Sequence, residues 1–212
     1  MSGVRLNKKK RIGCLLLRGA KSLQRIIGAS MVYLLVACGL HLCYDVSQSF
    51  AETYNIWPAS ATPANSAVSD RQAIEIGVKF RSNVAGTVSG IRFYKGSANT
   101  GTHVGHLWSA NGSLLASATF SNETASGWQQ VLFSSPVSIA AGTTYVASYY
   151  SAAGYFAFNQ GYFTAAVDNG PLRALANGED GPNGVYKYGT SGFPNQSYNA
   201  SNYWVDVVFS MR

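Results

Sequence analysis

Residues 74–81 read Ile74-Glu75-Ile76-Gly77-Val78-Lys79-Phe80-Arg81, with apolar and non-apolar residues in strict alternation. A period of two places alternate side chains on opposite faces of a β-strand. The stretch therefore predicts a strand that buries its isoleucines, its valine and its phenylalanine, while Glu75, Lys79 and Arg81 face water. Burial on one face only is typical of antiparallel sheets.

The rest of the chain beyond residue 52 favours short strands joined by turns, because it is rich in Gly, Ser, Thr, Asn and aromatic residues. Asn111-Gly112 predicts a type I′ hairpin, since both residues tolerate positive φ. Residues 159–183 contain two groups of turn residues and are predicted to form a long loop. Further strands are predicted at about 86–94, 103–109, 113–120, 128–133, 143–150, 154–158, 184–188 and 202–209. The pattern predicts an all-β protein, an antiparallel β-sandwich of jelly-roll or immunoglobulin-like topology.

The positive charge of the chain is concentrated at its N-terminus. The formal net charge is +7, and residues 1–51 contain eight of the 16 basic residues but a single acid, Asp45. Residues 52–212 contain equal numbers of basic and acidic residues, which argues against nucleic acid as a partner. All three cysteines also lie within residues 1–51, so the remainder has no disulfide.

The N-terminal segment has the pattern of an export signal. A basic stretch ends at Arg25 and is followed by the nearly uncharged residues 26–43, which predicts a hydrophobic export helix. We divide the chain into this leader, residues 1–51, and a β-sandwich domain, residues 52–212. Three fates of the leader are open: cleavage near Ala51, lipid anchoring at Cys38, or retention as a signal anchor. Each predicts a secreted or cell-surface domain that contacts a membrane only through the leader.

Six ordered segments carry a resemblance to a known family. They are residues 77–80, 90–95, 101–108, 126–131, 141–150 and 203–209. Together they resemble the bacterial extracellular domain family known as domain of unknown function 4082, over nearly all of residues 54–209. The resemblance implies a β-sandwich module, often found beside immunoglobulin-like repeats in large secreted or surface proteins, with no established catalytic residues. This chain differs from that arrangement, because it contains one copy of the module, preceded by the predicted leader.

The acids and histidines do not predict a catalytic centre. A glycosidase needs two carboxylates that flank the scissile bond, but Glu75 and Glu123 are interpreted as solvated surface acids and Glu179 as a turn residue. His103 and His106 are three positions apart in a predicted strand, so they point to opposite faces and cannot share a zinc ion. The domain is therefore predicted not to be an enzyme.

The strand predicted at residues 202–209 contains the first candidate binding residues. Trp204 and Asp206 share one face of it, where the ring could stack on a sugar and the carboxylate could bind sugar hydroxyls. The alternative is a structural Asp206 that pairs with Arg92 or Arg173, or that caps a loop.

Tyr155 and Tyr162 are the other candidate binding residues, because they belong to a run of aromatic residues in which some rings must be exposed. The predicted partner is a glycan or cell-envelope polysaccharide. A purely structural or protein-interaction surface domain is the alternative, and a glycan-active enzyme is the third reading.

A calcium site is a separate possibility within residues 159–183. Asp168, Asn169 and Asp180 offer the hard oxygen ligands that Ca²⁺ takes, although their spacing does not match an EF-hand loop. Asp168-Asn169 followed by glycine also forms a good turn without a metal. No other cofactor is predicted.

Overall fold

A computed structural model describes residues 52–212, and twelve strands make up its regular structure together with a single 3₁₀ turn at Tyr162–Thr164. The strands are β1 (Thr53–Tyr54), β2 (Ile74–Ser82), β3 (Gly86–Lys95), β4 (His103–Ser109), β5 (Leu114–Thr119), β6 (Gly127–Ile139), β7 (Tyr145–Ser151), β8 (Val167–Asn169), β9 (Leu172–Ala174), β10 (Val185–Tyr188), β11 (Gln196–Ser197) and β12 (Val205–Met211). All pairings between these strands are antiparallel. The predicted all-β antiparallel sandwich is confirmed.

The strands form two sheets of different width. The smaller sheet has the order β1-β12-β3-β6, and the larger has the order β11-β10-β2-β7-β4-β5. Strands β9 and β10 share one edge of β2, because β10 pairs with residues 74–77 and β9 with residues 80–82. The segment between β7 and β12 therefore widens the larger sheet beyond β2.

The core lies between the two sheets. Ile74, Ile76, Val78 and Phe80 are all buried, as the alternation in β2 predicts. β6 packs against β5, β3 against β4 and β7, and β12 against β7 and β2. Among residues 52–212, β10 packs closely on no strand of the smaller sheet, and Tyr203, in the loop before β12, lies 6.4 Å from Tyr186 on its inner face.

Two strand boundaries differ from the sequence prediction because of residues with left-handed backbone. No strand forms at residues 154–158, where Gly154 has φ +72° and Tyr155 has φ +53°. β12 begins at Val205 and not at residue 202, since Trp204 has φ +56°. A strand requires extended backbone, so each of these positions ends the regular pairing.

Two loop predictions were also wrong in part. Residues 159–183 contain the β8-β9 hairpin, and β9 adds to the larger sheet. Gly112 has φ +90°, but Asn111 is not left-handed, so the β4-β5 turn is not type I′.

Strand β6 is longer than predicted. It runs to Ile139, six residues beyond its predicted end, because proline is tolerated at Pro136 on an edge strand.

The export helix, the cleavage near Ala51 and the lipid anchor at Cys38 lie outside the described residues. Within residues 52–212, none of the helical structure has the length and apolar character needed to span a bilayer.

Candidate functional site

A cleft of about 330 Å³ opens beside β10, at the edge of the larger sheet. Its lining is mostly aromatic and contains one carboxylate and one amide. We call it the tyrosine cleft, and its lining residues are Val68, Asp70, Ile74, Phe156, Phe158, Gln160, Tyr186, Tyr188, Tyr198 and Tyr203. This volume lies at the low end of the range of about 300–1,000 Å³ that small-molecule sites span.

Strand register places two of the tyrosines. Tyr186 pairs with Ile76 and Tyr188 pairs with Ile74, so both rings point to the same face as the core residues of β2. Because β12 packs against β2 and not against β10, these rings are only partly covered. The widened sheet therefore provides an aromatic wall that stays accessible to solvent.

The cleft has a buried floor and an exposed rim. Tyr203 is 4% exposed, and its ring lies 5.6 Å from Phe156 and 5.9 Å from Phe158 between ring centres. At the rim, Tyr188 is 41% and Tyr198 is 51% exposed. Exposed aromatic rings above an apolar floor are suited to the flat face of a ligand.

Asp70 supplies the charge in the cleft. Its Oδ2 accepts a hydrogen bond from the Tyr188 hydroxyl at 2.5 Å, and its Oδ1 accepts one from the backbone N–H of Gln72 at 3.0 Å. Burial and the hydrogen bond to Asp70 raise the pKa of Tyr188 to about 12, so the hydroxyl keeps its proton and donates. Both carboxylate oxygens are fixed in position and retain free lone pairs.

The loop that carries Asp70 is held by a close backbone contact. Tyr155 donates its backbone N–H to the carbonyl oxygen of Asp70 at 2.7 Å. A Cβ atom at Gly154 would lie 2.2 Å from that same oxygen, and Gly154 has φ +72°. Only glycine satisfies both requirements, so Gly154 fixes where Asp70 stands.

Trp204 and Asp206 do not reach the tyrosine cleft. Trp204 is 3% exposed and belongs to a group of packed rings that we call the tryptophan cluster: Trp57, Tyr94, Trp128, Tyr162 and Trp204. The cluster packs on the outer face of the smaller sheet, where the chain around Trp57 covers it.

Asp206 is fully buried and bound by the protein itself. Its Oδ1 accepts the N–H groups of Ile56 and Val207, both at 2.7 Å, and its Oδ2 accepts that of Trp57 at 3.3 Å. Arg92 stands 3.6 Å from Oδ2. Burial raises the pKa of Asp206 to about 6, against the opposing effects of Arg92 and the N–H donors. Asp206 therefore has the structural role that the sequence left as the alternative to sugar binding, and Arg92 is its partner.

Tyr162 and Tyr155 are half-buried. The Tyr162 hydroxyl accepts a hydrogen bond from Trp57 Nε1 at 3.2 Å, so Tyr162 belongs to the tryptophan cluster. The guanidinium of Arg71 lies over the Tyr155 ring at 5.9 Å. Neither ring lines the tyrosine cleft, although the backbone of Tyr155 supports Asp70.

The calcium candidates bind three different partners instead of forming a common ligand set. Asp168 accepts from Arg173 Nη1 at 2.7 Å, and Asp180 accepts from Arg81 Nη2 at 3.0 Å. Asn169 donates to the carbonyl of Asn55 at 2.9 Å. Across residues 52–212, no group of three or more His, Cys, Asp or Glu side chains could hold a metal ion.

The interpretation of Glu75 and Glu123 as solvated surface acids was wrong. Glu75 is fully buried and accepts from His106 at 2.9 Å and from Ser148 at 2.6 Å. It lies on the outer face of the larger sheet, where Ser191 of a covering loop also binds it at 2.9 Å. Alternation in the sequence indicates on which face of a strand a side chain lies. It does not show whether a loop from a distant part of the chain covers that face.

Glu123 is partly buried and binds two buried basic side chains. It lies 2.7 Å from Lys95 Nζ and 2.8 Å from His103 Nδ1. His103 packs on Phe93 between the sheets, whereas His106 points to the outer face, so the predicted separation of the two histidines is confirmed. These buried polar groups bind one another and therefore serve the fold.

The tyrosine cleft was not predicted as a unit, although its sequence signal was present. Tyr186 and Tyr188 alternate with Val185 and Lys187, which places both tyrosines on one strand face. Nothing in the sequence indicates that Asp70, more than a hundred residues earlier, reaches the same place.

Comparison with known proteins supports the resemblance found in the sequence. No curated protein shows significant similarity to the chain. A family model described as "Domain of unknown function (DUF4082)" matches residues 60–205, a range that includes the whole lining of the tyrosine cleft. The chain is therefore a member of the DUF4082 family.

Proposed function

We propose that residues 52–212 form a non-catalytic module that binds a glycan in the tyrosine cleft. The observation that carries this proposal is an open aromatic wall next to a fixed carboxylate and the amide of Gln160. Sugar rings present C–H groups on their faces and hydroxyl groups at their edges. Aromatic rings pack against the former, while Asp70 and Gln160 bind the latter.

The lining of the cleft supports binding and not hydrolysis. A glycosidase places two carboxyl groups roughly 5–9.5 Å apart, one on each side of the scissile bond. Asp70 is the one carboxylate among the lining residues of the tyrosine cleft. A single carboxylate held by Tyr188 and a backbone N–H can orient a sugar, and we propose no catalytic role for it.

The N-terminal pattern supports a location outside the cytoplasm, which suits a cell-envelope polysaccharide as the ligand. Cleavage near Ala51 would leave β1 whole, because β1 begins at Thr53. Lipid anchoring at Cys38 or retention of the leader would tether the same domain to a membrane. In each case the module is secreted or displayed on the cell surface.

The strand order supports a jelly-roll in preference to an immunoglobulin-like sandwich. Without β8 to β11, the two sheets have the orders β1-β12-β3-β6 and β2-β7-β4-β5, which is an eight-stranded double Greek key. The segment between β7 and β12 is then an insertion, and it contributes seven of the ten lining residues of the cleft.

Binding of the full-length chain, purified in mild detergent, to a panel of cell-wall and other glycans tests the proposal. We expect at least one glycan to bind, and Tyr198→Ala to weaken that binding about two- to tenfold, because stacking of an aromatic ring contributes about 0.5–1.5 kcal/mol.

Tyr150→Ala is the matched control, since Tyr150 is a half-buried tyrosine on the opposite face of the larger sheet. It should leave binding unchanged. Wild-type binding by the Tyr198→Ala protein, or no binding by the wild-type protein to any glycan, would contradict the proposal.

A further inference from the structure

The tryptophan cluster shows how this chain accommodates a carboxylate beside aromatic rings. Asp206 lies next to the cluster and pairs with Arg92 at 3.6 Å. The Arg92 guanidinium also lies 4.5 Å from the centre of the Trp128 ring, within the distance of a cation–π interaction. One cation thus contacts both the acid and the rings.

The tyrosine cleft has the acid and the rings but lacks such a cation. Within residues 52–212, six acids have a basic side chain within 4.0 Å: Glu75, Glu123, Asp168, Glu179, Asp180 and Asp206. Of the two acids in this range that remain, Glu52 stands at its exposed N-terminal end and Asp70 lies in the cleft. A ligand that carries a positive charge can therefore pair with Asp70.

The rings around Asp70 favour a cation for a second reason. The face of an aromatic ring carries partial negative charge, which attracts ammonium groups. Four tyrosines and two phenylalanines line the cleft, and its lining contains no basic residue. Both the formal charge and the ring faces therefore disfavour uronic acids, sialic acids and phosphorylated sugars.

We infer that the tyrosine cleft selects a glycan that carries a protonated amine, such as a glucosamine residue without its acetyl group. This inference rests on the proposed function, because it names the class of glycan that the same cleft binds. The ammonium group donates to the free lone pairs of Asp70, and the sugar ring packs against the rim tyrosines. Tyr188 and the backbone of Gln72 hold the carboxylate in position for that contact.

Two oligosaccharides that differ only in the acetyl group test the inference. The full-length chain in mild detergent is titrated at pH 6 with a glucosamine tetramer and with an N-acetylglucosamine tetramer. We expect the glucosamine tetramer to bind at least about tenfold more tightly, as a hydrogen bond between charged groups contributes about 1.5–3 kcal/mol. Asp70→Asn should abolish the difference, and Asp168→Asn, the same change at an exposed acid outside the cleft, should preserve it.

A second measurement needs no variant. At pH 9 the sugar amine loses its proton, so the wild-type preference for the glucosamine tetramer should disappear while binding of the N-acetylated tetramer stays constant. Equal binding of both tetramers at pH 6, with binding still dependent on Tyr198, would overturn the inference and leave the proposed function standing. Absence of binding to these tetramers and to every other glycan would overturn both.

Discussion

Two groups of aromatic residues, one closed and one open, meet at neighbouring positions of the chain. Trp204 belongs to the tryptophan cluster, in which Trp57 and Trp204 are buried and beside which the buried acid Asp206 pairs with Arg92. Tyr203 forms the floor of the tyrosine cleft, whose rim is exposed and whose acid, Asp70, has no basic partner in the described part of the chain. Aromatic rings beside an acid thus form a structural group where the chain also provides a covering segment and an arginine. They form an accessible site where it provides neither.

The largest expected effect concerns the closed group. Asp206→Ala leaves Arg92 buried without its partner and removes the acceptor of three N–H groups, so we expect the free energy of unfolding to fall by about 3–5 kcal/mol. Urea denaturation measures this change. Asp168→Asn breaks an exposed ion pair and should cost less than about 1 kcal/mol. Similar costs for the two variants would show that the closed group is not a structural centre.

The second prediction alters the charge of the open group. Gln160 lines the cleft and is exposed, so its replacement should leave the free energy of unfolding within about 0.5 kcal/mol of wild type. Gln160→Arg should weaken binding of the glucosamine tetramer about tenfold or more, and Gln160→Glu should strengthen it. Calorimetric titration of both variants measures the effect. A change in the same direction for both would argue against recognition by charge.

The smallest effect is a pH dependence of stability that arises at His103. Burial lowers the pKa of His103 in the folded protein, in spite of its contact with Glu123. The unfolded chain, with a histidine pKa of about 6.5, then binds more protons as the pH falls, so acidification favours unfolding. Between pH 7.5 and 6 the loss should stay below about 0.8 kcal/mol, and His103→Gln should remove it.

Asp206 contributes with the opposite sign at lower pH. Its pKa of about 6 in the folded protein lies above the ordinary aspartate value of 3.8, so the folded state binds the proton first and gains stability as the pH falls through 6. Because Asp206 already begins to titrate near pH 6, the histidine effect is measured as the difference between wild type and His103→Gln in the change of urea midpoint from pH 7.5 to 6. A wild-type midpoint that falls no more than that of His103→Gln across that interval would contradict the lowered pKa of His103.

Sequence periodicity predicted the sandwich because local patterns decide it. The alternation of residues 74–81 places β2, and comparable patterns place most of the other long strands within a few residues. Two of the failures occur where a single backbone angle overrides the pattern. Tyr155 and Trp204 adopt positive φ, which few non-glycine residues do, and nothing in their local sequence indicates it.

The site was harder to predict because long-range contacts define it. Trp204 and Asp206 were reasonable candidates as an aromatic ring and an acid on one strand face, but the chain around Trp57 covers them. Asp70 and Tyr188 meet although 118 positions separate them. Composition can show that rings must be exposed somewhere, but only the fold shows which ones share a cleft.

Nuclear magnetic resonance of the full-length protein with isotope-labelled tyrosine rings tests the central claim most directly. During titration with the tightest-binding glycan, we predict shifts in the ring signals of Tyr186, Tyr188 and Tyr198 and none in those of Tyr94 and Tyr162. Shifts confined to Tyr94 and Tyr162, with the cleft tyrosines unchanged, would place binding at the tryptophan cluster and contradict the account.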